Sequence, residues 1–147
     1  MRVIIVSDSH GAPRKIDRVL QQQPTAEVLI HLGDGADDLE YARYEHPEVA
    51  FYQVCGNCDR CCPFPVEDTI TLNRVKLLFT HGHAFRVKYT LEELDRHARQ
   101  EKANVVLFGH THRPETGYCD GLYWMNPGAL KDNNYGVLDL VGHSIVT

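Results

Sequence analysis

The sequence predicts an α/β fold in which two mixed β-sheets pack together with helices on the outside. Three observations lead there. Through the first half, short β-branched runs alternate with amphipathic stretches. In the second half, strand-like runs follow one another quickly and are separated by tight-turn signals. Asp, Asn and His gather beside Gly just past the apolar runs, at the ends of strands rather than within them.

Val3-Ile4-Ile5-Val6 reads as a strand covered on both faces. Pro13 then opens a helix whose apolar face carries Ile16, Val19 and Leu20. Residues 27–32, with Val28-Leu29-Ile30 inside, form the second buried strand, ended by Gly33. A helix over 37–44 is stopped by Pro47, and residues 49–54 make a third strand. The order βαβαβ implies parallel strands joined by right-handed crossovers. Strands at 69–72 and 75–80 flank a hairpin turn at Asn73-Arg74. Thr90 is expected to cap a helix over 91–102, with Glu93 completing a capping box. Residues 105–108 give another buried strand, ended by Gly109. Strands at 115–118 and 122–125 meet at Asp120-Gly121, a strong hairpin signal. Strands at 135–140 and 144–146 complete the order.

A length of 147 residues suits one domain. Apolar residues at 43% and charged residues at 24% exclude a disordered, collagen-like or coiled-coil chain. A formal charge of −5 leaves no basic surplus for non-specific nucleic-acid or anionic-membrane binding. Bound divalent cations would offset much of it, and nine His are a rich supply of ligands. The first apolar run is too short for a signal-peptide core, and no run approaches a membrane span, so a cytoplasmic location is expected. Five Cys is an odd number, and Cys55, Cys58, Cys61 and Cys62 crowd into eight residues. That spacing is too tight for a sensible disulfide framework, so thiols in a reducing compartment are expected. Cys55-x2-Cys58-x2-Cys61 echoes a ferredoxin run, but Cys62 directly after the third Cys breaks it, and a zinc knuckle lacks its loop spacing. Ser7-Asp8-Ser9-His10-Gly11 is not a Gly-x-Gly-x-x-Gly loop, which argues against a dinucleotide-binding domain.

The polar clusters follow five strands: Asp8 and His10, Asp34, Asn57 and Asp59, His81 and His83, His110 and His112. In α/β sheets the ligand crevice lies outside the carboxyl ends of the strands. Imidazole together with carboxylate suits Zn, Mn, Fe or Ni better than Ca or Mg. Asp8 and His10, like His110 and His112, stand two residues apart, which in extended chain puts both side chains on one side. Asp34 has lone pairs enough to bridge two ions. Singly, most of these residues are explained as turn formers; five clusters in order are not.

Asp8-x-His10, Gly33-Asp34, Gly56-Asn57-x-Asp59, His81-Gly82-His83 and Gly109-His110-x-His112 resemble, in order and spacing, the calcineurin-like metallophosphoesterases. Asn126-Pro127-Gly128 is similar to a segment of that superfamily's small branch, with Ala129 at a Ser position. The branch holds the YfcE-like phosphodiesterases and the non-catalytic retromer subunit Vps29. The resemblance implies a four-layer αββα sandwich and a two-metal site. Asp8, His10 and His112 would hold one ion, Asn57, His81 and His110 the other, and Asp34 would bridge them. The ions implied are divalent, Mn first, with Zn, Fe and Ni also accommodated. The implied activity is hydrolysis of a small phosphate ester by a metal-activated hydroxide, with Asp34, Asn57, Asp59 and His83 as the catalytic set. Cys58 stands where larger relatives carry a His, so the proton donor is open, and His83 is expected to contact phosphate. The alternative is a Vps29-like interaction scaffold, which has no need of seven ligands. No membrane or specific nucleic-acid partner is implied, and a homo-oligomer is left open. Phe64, Phe85 and Tyr89 are loop-placed aromatics beside the crevice, each expected to pack into the core.

Overall fold

The computed structural model describes every residue except 143. Its elements in chain order are β1 (Arg2–Val6), α1 (Pro13–Gln22), β2 (Ala26–His31), α2 (Leu39–Glu45) and β3 (Ala50–Gln53), then β4 (Glu67–Leu72), β5 (Val75–Thr80), α3 (Glu92–Gln100), β6 (Val105–Leu107), β7 (Glu115–Cys119), β8 (Leu122–Asn126), β9 (Gly136–Val141) and β10 (Ser144–Val146). Five strands form one sheet in the order β10-β9-β1-β2-β3, and five form the other in the order β4-β5-β6-β8-β7. β1, β2 and β3 run parallel, as do β5, β6 and β8, while β9, β10, β4 and β7 pair antiparallel.

Strand periodicity sorts the core into three layers. Val3 and Ile5 of β1 face the second sheet and meet Leu77, Phe79, Val105 and Leu107 there. Ile4 and Val6 face the other way, against Ile16, Val19 and Leu20 of α1 and Leu39 and Ala42 of α2. On the far side, Leu78, Val106 and Phe108 pack on Leu94 and Ala98 of α3. Helix, sheet, sheet and helix thus make the four layers that the resemblance implies. Among the described residues no helix is long and apolar enough to cross a membrane.

Both predicted two-residue hairpins form, and Asn73, Arg74, Asp120 and Gly121 all take positive φ. The predicted capping box does not form. α3 starts at Glu92, and its N-cap residue, Leu91, makes no side-chain cap. Thr90 sits one residue too early, where its hydroxyl accepts the Glu92 N–H at 3.2 Å. Glu92, Glu93 and Asp95 favour the first turn through the helix dipole instead. The cysteines also depart from expectation. Cys55 and Cys62 form a disulfide, with Cα atoms 6.1 Å apart. The chain doubles back after β3, so that the Cys55 N–H donates to the Pro65 carbonyl at 2.8 Å, and this reversal brings the two cysteines together. Cys58, Cys61 and Cys119 are free thiols, so a cluster or zinc knuckle drawing on Cys55 and Cys62 is ruled out in this state.

Candidate metal centre

Five loops leave the carboxyl ends of β1, β2, β3, β5 and β6 at the same end of the sandwich. The first sheet delivers Asp8, His10, Asp34 and Asn57; the second delivers His81, His110 and His112. Asp8, His10, Asp34, His110 and His112 all have φ between +46° and +66°. Such a backbone is uncommon for residues with a Cβ, and it concentrates where surrounding structure forces a side chain inward. The close approach of the loops needs glycine at two positions. A Cβ on Gly33, at φ +100°, would lie 2.5 Å from the Gly56 nitrogen, and one on Gly56 would lie 2.0 Å from Asp34 Oδ1.

The side chains fall into two adjoining sets. In the first, Asp8 Oδ1 lies 3.0 Å from His112 Nε2 and 3.7 Å from His10 Nε2. In the second, His81 Nε2 lies 3.1 Å from Asn57 Oδ1, 3.2 Å from His110 Nδ1 and 3.4 Å from Asp34 Oδ2. Asp34 Oδ2 is also 4.0 Å from His10 Nε2, so this one oxygen faces both sets. Asp8, His10 and His112, and separately Asp8, Asp34 and His81, each bring ligand atoms within 4.8 Å of one another.

Hydrogen bonds decide which atoms are left over. The Ser7 hydroxyl and the His110 N–H both donate to Asp8 Oδ2, at 2.6 and 3.2 Å, which leaves Oδ1 for the centre. The Cys58 N–H donates to Asp34 Oδ1 at 2.8 Å, which leaves Oδ2. His81 Nδ1 lies 2.8 Å from the Leu32 carbonyl, which can only accept. The proton therefore sits on Nδ1, and Nε2 turns its lone pair to the centre. Asp34 Oδ2, Asn57 Oδ1, His81 Nε2 and His110 Nδ1 thus face one another closely enough for a single cation to take all four. The donor set fits borderline divalent ions.

Electrostatics agree. Against the cost of burial, the His81 and Cys58 hydrogen bonds hold the Asp34 carboxyl far below the usual carboxylate range. Burial, then the neighbouring His81 and Lys88, push His110 down to about 4, so its ring is neutral at pH 7. The Asp34 carboxylate draws His81 upward in spite of burial.

The other expected site residues lie around this centre. Asp59 stands behind it. Its carboxylate accepts the N–H groups of Asp34, Gly35, Ala36 and Gly56 at 2.8–3.0 Å, so it clamps the β2 loop to the β3 loop. His83 is flanked by His81 and His110, with ring centroids 5.5 and 6.2 Å away, and its Nδ1 is buried without a partner. Burial and His81 lower its pKa. The Cys58 thiol is exposed and receives the Asn57 amide at 3.4 Å; its hydrogen bond with Asp34 and its partial burial raise its pKa. Phe85 packs on the His97 ring as expected, but Phe64 and Tyr89 are 39% and 84% exposed and do not join the core.

Sequence reasoning missed a buried relay under the β1 loop. His31 Nδ1 accepts the Gly33 N–H at 3.0 Å, and its Nε2–H donates to Ser9 Oγ at 2.9 Å. The Ser9 hydroxyl donates to Asp38, which also accepts the Gly11 N–H at 2.9 Å. A histidine at the end of an apolar strand was the available signal. Asn126 ties the β6 loop in the same way, donating to the Gly109 carbonyl and to Thr111 Oγ1 at 2.9 and 3.0 Å.

Comparison with known proteins places this arrangement in context. A family model described as the calcineurin-like phosphoesterase superfamily domain matches residues 1–141. Probable metallophosphoesterase YsnB of Bacillus subtilis is 34% identical over 133 residues, covering 89% of this chain and 76% of that protein. Phosphodiesterase YfcE of Escherichia coli is 29% identical, covering 95% and 88%. Vacuolar protein sorting-associated protein 29 of Schizosaccharomyces pombe is 28% identical, covering 88% and 72%. Among solved structures, a predicted phosphoesterase of Streptococcus pneumoniae superposes with a TM-score of 0.82 at 25% identity, covering 95% of this chain and 83% of its own.

Proposed function

The chain belongs to the calcineurin-like phosphoesterase superfamily, and from that premise we propose that it is a phosphodiesterase dependent on two divalent ions. The observation that carries the reading is the convergence of nitrogen and oxygen ligand atoms in two sets that share Asp34 Oδ2. Asp8, His10 and His112 would hold one ion and Asn57, His81 and His110 the other, with Asp34 between them. When bound, such ions supply Lewis acidity, polarising phosphoryl oxygens and lowering the pKa of water.

The chain's own residues hold and orient. Ser7, the Cys58 N–H and the Leu32 carbonyl fix which atom of Asp8, Asp34 and His81 faces the centre. Asp59 fixes two loops and touches no reacting atom, which makes it a positioning residue. His83, neutral at pH 7, offers an N–H to a phosphoryl oxygen. No side chain supplies a strong acid. The Cys58 thiol holds its proton more tightly than usual, and His83 carries no extra one. The departing oxygen therefore leaves without a protein proton, and low-pKa alcohols are the preferred leaving groups. The scaffold role of the vacuolar sorting relative is disfavoured by the complete ligand set.

The test is metal analysis of the purified chain, paired with hydrolysis of bis-p-nitrophenyl phosphate in Mn, Zn, Fe and Ni. Close to two ions per chain and metal-dependent turnover are expected. One ion or none at saturation, with no turnover in any metal, would overturn the reading.

A further inference from the structure

Beside the metal centre lies a cavity of about 410 Å³ that the proposed chemistry leaves unused. Lys88, Tyr89, Thr111, Arg113 and Glu115 are among the residues lining it. Thr111 stands between His110 and His112, so the cavity opens where the ligand loop ends. The Thr111 oxygen already accepts from the Arg113 N–H at 3.2 Å and from the Asn126 amide at 3.0 Å. Among the described residues its own O–H has no acceptor, which leaves that proton to donate.

The charge here runs against that of the whole chain. The protein carries −5, whereas Lys88 and Arg113 outnumber Glu115 within the cavity. The Lys and Arg ion pairs among the described residues use Arg2, Lys76 and Arg99, and leave Lys88 and Arg113 out. Tyr89 is 84% exposed, with the Arg86 guanidinium 5.8 Å from its ring. An aromatic plate beside unpaired cations and a free hydroxyl donor matches a flat base joined to an anionic group.

Resting on the phosphodiesterase reading, we propose that this cavity is the subsite for the retained arm of the diester, and that the arm is a nucleoside bearing a second phosphate. Arg113 and Lys88 take the second phosphate, and Tyr89 stacks on the base. In the reaction the bond from phosphorus to the leaving oxygen breaks. A water oxygen takes its place, and the proton from water passes to solvent.

The probes are the p-nitrophenyl ester of thymidine 5′-phosphate and the same ester with a 3′-phosphate. Expected is a rise in kcat/KM of about tenfold on adding the 3′-phosphate, the size of one charge-assisted contact. Lys88→Ala and Arg113→Ala should each reduce that ratio, and the double variant should bring it close to one. Arg18→Ala, on the exposed face of α1, should leave the ratio intact. Binding of thymidine 3′,5′-bisphosphate against thymidine 5′-monophosphate, with Mn²⁺ present, reads the same preference without turnover. A ratio near one in the wild type, or one unmoved in the double variant, overturns the subsite. If all esters go unhydrolysed while the bisphosphate still binds about tenfold more tightly, the phosphodiesterase reading fails and the subsite stands. If both preferences are missing, the subsite fails whatever the activity.

Discussion

Acidification from pH 7 to pH 4 should cost the fold about 3 kcal/mol through one side chain, His31. This ring is fully buried. The Gly33 amide can only donate, so Nδ1 must be bare, and the single proton sits on Nε2 toward Ser9. A second proton would face the Gly33 N–H and would charge a buried ring. Burial lowers the pKa to about 4, although Asp59, Asp38 and Asp8 pull it up in part. The unfolded chain takes the proton near 6.5, so between pH 6.5 and pH 4 it binds a proton that the native state refuses. This contribution to stability is complete above 6.5, falls as the pH drops through that window and levels off below 4. At about 1.4 kcal/mol per pH unit, the gap amounts to about 3.5 kcal/mol in full, of which about 3 kcal/mol is lost between pH 7 and pH 4, where the native ring is half protonated. Urea unfolding of wild type and His31→Gln at intervals from pH 8 to pH 4 measures it. The wild-type curve should fall by about 3 kcal/mol more than the variant's, and the His31 ring signals in NMR should stay those of neutral imidazole down to pH 5. Parallel curves, or a His31 midpoint near 6.5, would refute the reasoning.

Other perturbations have equally definite outcomes. Asp34→Asn should lower bound metal more than His10→Ala, since Asp34 Oδ2 faces both ligand sets and His10 only one; metal content after gel filtration decides it, and equal losses would remove Asp34 as the bridge. Asp59→Ala leaves four backbone N–H groups without their acceptor, and thermal unfolding should show a loss of about 3 kcal/mol or more; a loss under about 1 kcal/mol would mean the two loops do not depend on the clamp. Thiol titration of the denatured chain should count three groups without reductant and five after a dithiol, because Cys55 and Cys62 are paired; five at the start would show that the bridge does not form.

What the sequence made legible was whatever period and turn chemistry determine locally. The β-branched runs at residues 3–6 and 105–108 fall on β1 and β6, and Asp120-Gly121 makes its hairpin because only a few residues accept positive φ at both positions. The gathering of the polar clusters at one end of the fold was readable because each lies within a few residues of a strand's carboxyl end. Contacts between distant loops were not. Asp59 reads as a polar residue near the centre, yet its carboxylate is used up by amides 23–25 residues away as well as by Gly56. Cys55 and Cys62 looked too close in sequence to bridge, and only the doubling back of the chain after β3 shows otherwise. Tyr89 reads as a core aromatic, but α3 fills that layer with Leu94 and Ala98 and leaves the ring outside.

The topology has a bearing on synthesis. All of β4 to β8 is strung between two groups of strands belonging to the other sheet, β1–β3 before it and β9–β10 after. β1 is the central strand of its sheet, yet Val3 pairs with Leu138 and Ile5 with Gly136. While the chain emerges from a ribosome, β1 holds an open apolar edge until nearly everything else has been made. The loop that carries Asp8 is completed equally late, since the Ser7 carbonyl awaits the Leu130 N–H. Long-range pairing of this kind slows folding and leaves strand edges exposed to other chains in the interval. Truncation shortly before residue 136 would strand the nascent protein with its five polar loops all translated and its first sheet unable to close.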